Sequence, residues 1–274
     1  MKQLIIHRRV LLVLFLIMLL TLERRGFTLS FSARTLSSLL SIQTDLSCYL
    51  YTLVKTYPHD TRAFSQGLLF HEGALYESTG LYGHSSLRKI DLNTGKILKI
   101  APLSSPYFGE GLTLLGNTLY QLTWQSGMGF RYDLITFKIT GFFHYNFEGW
   151  GITNDGHYLI ISDGTATLRF IDPGTFSEIK RITVQAGGQE IPWLNELEYI
   201  EGEIFANVWQ SDIILRINPQ NGHVSGWIDL SCLHPDRSPQ EDVLNGIAYD
   251  SKQRHLFVTG KNWPLVYEIT IQKK

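Results

Sequence analysis

Five stretches of the chain repeat one pattern, and the residue at one fixed point in it differs each time. The repeats start at Gly67-Leu-Leu-Phe, Gly111-Leu-Thr-Leu, Gly151-Ile-Thr-Asn, Glu196-Leu-Glu-Tyr and Gly246-Ile-Ala-Tyr. Each start leads through a turn into a short apolar run, such as Ala74-Leu-Tyr, Thr118-Leu-Tyr or His255-Leu-Phe. The starts lie 44, 40, 45 and 50 residues apart. A period of about 40–50 residues with several strands per unit marks propeller blades, which stack around an axis. The residues just ahead of the starts are Gln66, Glu110, Trp150, Asn195 and Asn245. In a circular array they form a ring, and that set suits an active site better than a core layer.

The interior of the units supports strands. In the first, Gly67–Phe70, Ala74–Ser78, Ser86–Asp91 and Lys96–Ile100 are expected strands, separated by Glu72-Gly73, a Gly80/Gly83 loop and Asn93-Thr94-Gly95. The third repeats the plan with Tyr158–Ser162, Thr167–Asp172 and Glu178–Val184, and the fourth with Ile204–Trp209, Ile213–Asn218 and His223–Ile228. Asn-Gly and Asp-Gly between short alternating runs are hairpin signals. Asp91, Asp172 and Asn218 end their strands and read as turn residues whose side chains bond the turn backbone. The expected fold is all-β: a five-bladed propeller of four-stranded antiparallel blades, preceded by an N-terminal apolar segment. A free sheet edge invites aggregation, so Tyr51–Tyr57 is expected to close the ring as the outer strand of the last blade, beside Val266–Ile271. A solenoid would not bring the five variable positions together.

Composition agrees. The 274 residues are 44% apolar, 12% aromatic and 18% charged, which fits one sizeable β core. Lys2, Arg8 and Arg9 precede the apolar run Val10–Leu20. That is a secretory layout, short for a membrane span and lacking a clean small-x-small cleavage site. Residues 1–25 are therefore a signal peptide or membrane anchor, with membrane association through residues 10–22. Residues 26–47 read as a linker or a second apolar patch and 48–274 as the propeller domain, secreted or extracytoplasmic and monomeric. The body carries 18 basic against 23 acidic side chains, which argues against nucleic acid as a partner. Cys48 and Cys232 are too few for a disulfide framework.

The mouth of the channel gathers further residues. Two places upstream of the variable position stand Phe64, Phe108, Glu148, Trp193 and Val243; the second strands end at Thr79, Trp124, Asp163, Trp209 and Lys261. Ala63-Phe-Ser-Gln-Gly-Leu, Phe108-Gly-Glu-Gly-Leu-Thr, Leu122-Thr-Trp, Glu148-Gly-Trp-Gly-Ile-Thr, Leu194-Asn-Glu-Leu-Glu, Asn207-Val-Trp and Gly260-Lys-Asn-Trp-Pro occur in order. From about Tyr51 to Ile271 the chain resembles the plant and bacterial type of glutaminyl cyclase. The resemblance implies a five-bladed propeller that converts N-terminal glutamine of peptides and proteins to pyroglutamate with loss of ammonia, without a catalytic metal or other cofactor. It places the acid/base at Glu110, and puts Phe64, Gln66, Phe108, Trp124, Trp150, Asn195, Trp209 and Lys261 in the pocket. Ser65 stands where threonine is usual, and Thr61-Arg62 replaces a commoner proline-containing turn.

The chemistry leads the same way. A neutral α-amine, whose ordinary pKa is near ~8, must attack the γ-carboxamide carbon, and the leaving nitrogen must gain a proton. One carboxyl group can do both, and Glu110 among Phe108, Trp124 and Trp150 is the candidate. Asn195, then Lys261, are candidate donors to the oxyanion; Gln66 would hold the substrate, and Trp124, Trp150 and Trp209 would wall the pocket. Trp193, Trp227 and Trp263 read as packing, Asn245 as a backbone cap, His59 as a turn residue, and Glu148, Glu196 and Glu198 as channel or turn carboxylates. Two other functions fit parts of the pattern. A lactonase-like hydrolase would hold a divalent cation on Glu110, Asn195, Asn245 and Asp163, although Lys261 opposes a cation there. A non-catalytic binding propeller would leave the Gln/Glu/Asn/Lys set without a task.

Overall fold

The computed structural model of the chain describes residues 46–274 together with Leu36 and Leu40. Strand β1 (Ser47–Pro58) is followed by three units of four strands: β2–β5 (Ser65–His71, Ala74–Thr79, Ser86–Asp91, Ile97–Pro102), β6–β9 (Gly109–Leu115, Thr118–Thr123, Met128–Asp133, Ile139–His144) and β10–β13 (Ile152–Asn154, Leu159–Ser162, Thr167–Ile171, Glu178–Thr183). A small hairpin, β14–β15 (Gln185–Ala186, Gln189–Glu190), precedes β16–β19 (Leu194–Ile200, Glu203–Val208, Ile213–Ile217, Val224–Asp229) and β20–β22 (Leu244–Asp250, His255–Gly260, Leu265–Lys273). The expected strands of the first, third and fourth repeats agree with these to within one or two residues. The hairpin β14–β15 was not expected; two-residue strands leave no periodicity to read.

Each of the first three units is its own antiparallel sheet, while β16–β19 and β20–β22 join through β1 into one sheet of eight strands. β1 pairs antiparallel with β22, Tyr51 opposite Ile271 and Tyr57 opposite Val266, so Ser47–Pro58 supply the outer strand beside Leu265–Lys273, as expected. Ser47–Tyr49 also run parallel to Gly226–Ile228 of β19, a second join that was not foreseen. The first strands of the units touch in a cycle: β2 meets β6, β6 meets β10, β10 meets β16, β16 meets β20, and β20 meets β2. The fold is thus an all-β, propeller-like ring of antiparallel sheets.

Apolar cores fill the spaces between neighbouring sheets. Leu69, Leu87, Leu112, Leu119 and Phe130 pack between the first and second units, and Ile160, Phe170, Leu197, Leu215 and Trp227 between the third and fourth. Leu36 and Leu40, from the segment read as a linker, have helical backbone and are buried in that last cluster. The rest of the leading segment, including Val10–Leu20, lies outside the described residues. Among the described residues no helix is long and apolar enough to cross a membrane. Cys48 and Cys232 are unpaired.

The turns behave as their composition requires. Asp91, Asp133 and Asp172 each accept from the backbone N–H and the hydroxyl of a threonine three residues on, and Asn218 accepts from the Gln220 N–H.

At the axis the strands approach so closely that three repeats must begin with glycine. A Cβ on Gly67 would stand 2.4 Å from the Leu112 nitrogen, on Gly111 2.6 Å from the Ile152 nitrogen, and on Gly151 2.0 Å from the Asn195 oxygen. The fourth repeat has Glu196 instead. Its carboxylate accepts from Leu68 N–H (3.3 Å) and Ile247 N–H (2.8 Å), tying the fourth unit to the first and fifth. Burial pushes it well above the usual range, with Glu198 adding to the shift. Glu198 is itself pushed up to about 8 by burial. Gly67→Ala should therefore lower the unfolding free energy by about 1–3 kcal/mol, the usual cost of overpacking. Urea denaturation will read it; an unchanged midpoint would mean that the inner strands have room to part.

Candidate active site

A local irregularity aims the site residues. Pairing of the first strand with the second shifts register between Ser65 and Gly67, Gly109 and Leu112, Leu194 and Leu197, and Leu244 and Ile247. These shifts fall at Gln66, Glu110, Asn195 and Asn245, and β10 starts just after Trp150. A bulge turns its residue out of the strand's alternation and re-aims the side chain. The changing position of the repeat is therefore the position that the fold turns toward one mouth of the ring.

Four of these side chains are buried there, and three form a relay. Asn245 Nδ2 donates to the Ser65 carbonyl and to Gln66 Oε1, both at 3.0 Å. Gln66 Nε2 in turn donates to Glu110 Oε1 at 2.9 Å. Asn245 thus caps a backbone carbonyl, as read from sequence, and also orients Gln66. Asn195 is buried, and its Oδ1 has no hydrogen-bond partner among the described residues.

Glu110 is 4% exposed. Burial pushes its carboxyl well above the ordinary range; the Lys261 charge draws it back and the Glu148 charge adds to the rise. Lys261 is buried too, with Nζ 4.8 Å from the centre of the Phe64 ring. Burial lowers the Lys261 ammonium below its usual value, against the opposing pull of Glu110 and Asp242.

The walls are aromatic. Phe108 packs edge-on to Phe64 at 6.1 Å and to Trp124 at 5.7 Å. Trp150 packs edge-on to Trp209 at 5.8 Å. Glu148, which sequence left between channel and turn, accepts from Trp124 Nε1 (2.7 Å) and Trp150 Nε1 (3.1 Å). Burial would raise its pKa, but these bonds and that from Gln125 outweigh the burial and lower it. Glu148 is therefore a fixed negative charge that orients two indoles. Its signal in the sequence was its place two residues upstream of the variable position.

One residue beside the site escaped sequence reading, because its partners come from distant segments. His59 Nδ1 bonds the Trp263 carbonyl at 2.7 Å and Nε2 bonds Glu77 Oε1 at 2.8 Å. Ser65 Oγ also donates to Glu77 Oε1, at 2.7 Å. This buried cluster fastens the loop carrying Phe64 to the loop carrying Lys261. Trp193, read from sequence as a packing residue at the mouth, packs against Trp209 with ring centres 5.4 Å apart. Trp263 and Trp227 are buried, as expected of packing residues, but Trp193 is 36% exposed, at the mouth.

Among the described residues no group of three or more His, Cys, Asp or Glu side chains is placed to hold a metal ion. Asp163 is engaged with Arg169 Nη2 at 3.0 Å, and Asn245 donates its amide to Gln66. A cavity of about 360 Å³ between the second and third units, lined by Phe143, Tyr145, Phe147 and Phe176, involves none of the ring residues.

The buried Glu110 carboxyl, held by an amide relay and lined by aromatics, thus stands at the mouth of a propeller-like ring. A family model described as glutamine cyclotransferase matches residues 27–271. The chain belongs to that family. It is 49% identical over 227 residues to a glutaminyl-peptide cyclotransferase of Arabidopsis thaliana, covering 81% of this chain and 71% of the relative. Its fold matches the crystal structure of Myxococcus xanthus glutaminyl cyclase with a TM-score of 0.79 at 35% identity, covering 84% of this chain and 99% of the other.

The His59–Glu77 pair makes a stability prediction. Burial pulls His59 down, but the Glu77 charge and hydrogen bond and the Trp263 carbonyl outweigh it, so its pKa is raised. Burial pushes Glu77 up, but His59 and Arg88 outweigh it and lower its pKa. A histidine with a raised folded pKa contributes stability fully below its unfolded value, near ~6.5, and loses it as pH rises through the folded value. His59→Ala leaves the buried Glu77 carboxylate with Arg88 Nη1, 3.8 Å away, as its counter-charge and should cost about 3 kcal/mol at pH 6. In denaturant titrations the gap to wild type should narrow as pH rises; a gap independent of pH would show that His59 is not charged in the fold.

Proposed function

We propose that the chain is a glutaminyl-peptide cyclotransferase, acting on peptides and proteins with N-terminal glutamine, in which Glu110 is the general acid and base. The reading includes a five-bladed ring, with the repeat period and the cycle of inner strands in its support. It also includes an extracytoplasmic location, supported by the basic start and the apolar run. The observation that carries the mechanism is Glu110: one buried carboxyl, raised in pKa, among the residues that the family resemblance assigns to the pocket.

The substrate arrives mainly as an ammonium and meets the Glu110 carboxylate. Proton transfer gives a neutral amine and a protonated Glu110, a transfer that the raised pKa of Glu110 favours. The amine nitrogen attacks the γ-carboxamide carbon, forming the N–C bond of the five-membered lactam and placing negative charge on the amide oxygen. Asn195, with Lys261 beside it, stabilises that oxygen. Glu110 then passes its proton to the carboxamide nitrogen and takes one from the new ring nitrogen. The C–N bond breaks, the departing ammonia takes the proton that Glu110 now holds and leaves as ammonium, and Glu110 returns to carboxylate. Gln66, held by Asn245, keeps Glu110 in place. Trp124, Trp150 and Trp209 confine the glutaminyl chain to the folded conformer, which supplies effective molarity.

Glu110→Gln should lower kcat by about 10²–10⁴-fold while circular dichroism and the unfolding midpoint stay as in the wild type. Ammonia release from a glutamine-initiated peptide near the wild-type rate would remove Glu110 from this role. The pH profile gives a second test. The reactive pair is the Glu110 carboxylate with the substrate ammonium, so the acid limb of kcat/KM follows Glu110. Lys261→Met removes a charge that lowers the Glu110 pKa and should move that limb to higher pH. Glu148→Gln removes a charge that raises it and should move the limb to lower pH. Limbs that stay in place, or move the other way, would assign the limb to another group.

A further inference from the structure

Trp193 is the member of the aromatic wall that faces outward. Its ring centre lies 5.4 Å from Trp209 and 6.4 Å from Trp150, so its 36% exposed surface continues the pocket wall beyond the mouth. Its backbone has φ +67°, in the left-handed region that bulky side chains rarely adopt. Two hydrogen bonds hold it there. Trp193 N–H donates to the Gly164 carbonyl and Trp209 N–H donates to the Trp193 carbonyl, both at 2.8 Å. Gly164 also supports the wall, since a Cβ there would lie 2.7 Å from Trp150 Cζ2. A strained residue held by its surroundings, with its side chain left in the open at a site, points to a function for that side chain.

The inference rests on the cyclotransferase reading. The α-amine and γ-carboxamide of the first residue must both lie at Glu110, so its carbonyl and the rest of the peptide leave through the mouth. The second side chain starts one residue further out, roughly 3.3–3.6 Å along the backbone, at the level of the wall where Trp193 takes over from Trp150 and Trp209. We propose that Trp193 is the platform for the second side chain of the substrate, and that the enzyme prefers an aromatic or large apolar residue there. Aromatic rings pack on an indole in offset or edge-on geometry and gain more than their buried area alone provides. The competing surface is Tyr82, 52% exposed and 5.3 Å from Phe108 on the loop after Gly80.

The test compares two peptide amides, Gln-Phe-Ala and Gln-Gly-Ala, by ammonia release. The wild type should favour the first in kcat/KM by about three- to ten-fold. Trp193→Gly suits the left-handed backbone and removes the indole, so it should fold and bring the ratio to roughly one. Trp193→Tyr should keep most of the preference, and Tyr82→Ala should leave it in place. A wild-type ratio near one, a ratio unmoved in Trp193→Gly, or a preference lost in Tyr82→Ala instead would overturn the platform while leaving the cyclotransferase intact. Ammonia from neither peptide with folded wild type would sink the activity, and the platform with it.

Discussion

Around the axis, the first strands of the repeats stand so near one another that a methyl group on Gly67, Gly111 or Gly151 would fall within 2.0–2.6 Å of a neighbour's backbone. That closeness has two consequences. It lets polar side chains clasp one sheet to the next: Gln121 Nε2 donates to Ser78 Oγ at 2.8 Å, Ser162 Oγ to the Asn195 carbonyl at 2.7 Å, and Gly246 N–H to Asn207 Oδ1 at 3.0 Å. It also draws the residues just ahead of the glycines into a narrow circle, where bulges turn Gln66, Glu110, Asn195 and Asn245 out of their strands. The scaffold and the site are therefore one feature. The crowding that closes the ring also concentrates functional groups at its mouth.

Charge placement then gives the circle its chemistry. Glu110 and Lys261 are both deprived of water, which raises one pKa and lowers the other. In each case the charged form is disfavoured by burial. Glu148 escapes that fate because two indoles and an amide donate to it, so its charge persists. Its position adds to the rise at Glu110 while it holds Trp124 and Trp150 in place. Three ionisable groups in one pocket thus have different protonation behaviour, each set by its hydrogen bonds and burial.

Much of this was legible because repetition amplifies weak signals. A single Glu-Gly ahead of a short strand is usually a turn, but five aligned instances make Glu110 one position in a ring. The outer partner of the last sheet was legible from Tyr51–Tyr57, since an unpaired edge requires a partner. His59 was read as a turn residue because its partners, Glu77 and Trp263, are 18 and 204 residues away. Trp193 packs against Trp209 as read, but apolar composition did not reveal how much of its surface stays open. The parallel join of Ser47–Tyr49 to β19 was hidden for a similar reason: a strand's pattern records its burial and not the identity of its neighbours.

The sequence by itself determined the periodic strands, their turns, the glycines at the axis and the chemical type of residue at each variable position. These are local properties, set by backbone freedom, side-chain alternation and short-range hydrogen bonds. Only the tertiary structure decided the direction of each bulged side chain, the sharing of Glu148 between two indoles, the relay from Asn245 through Gln66 to Glu110 and the exposed face of Trp193. Each of those depends on groups brought together from separate repeats, and on how much water they exclude, which no local stretch of chain encodes.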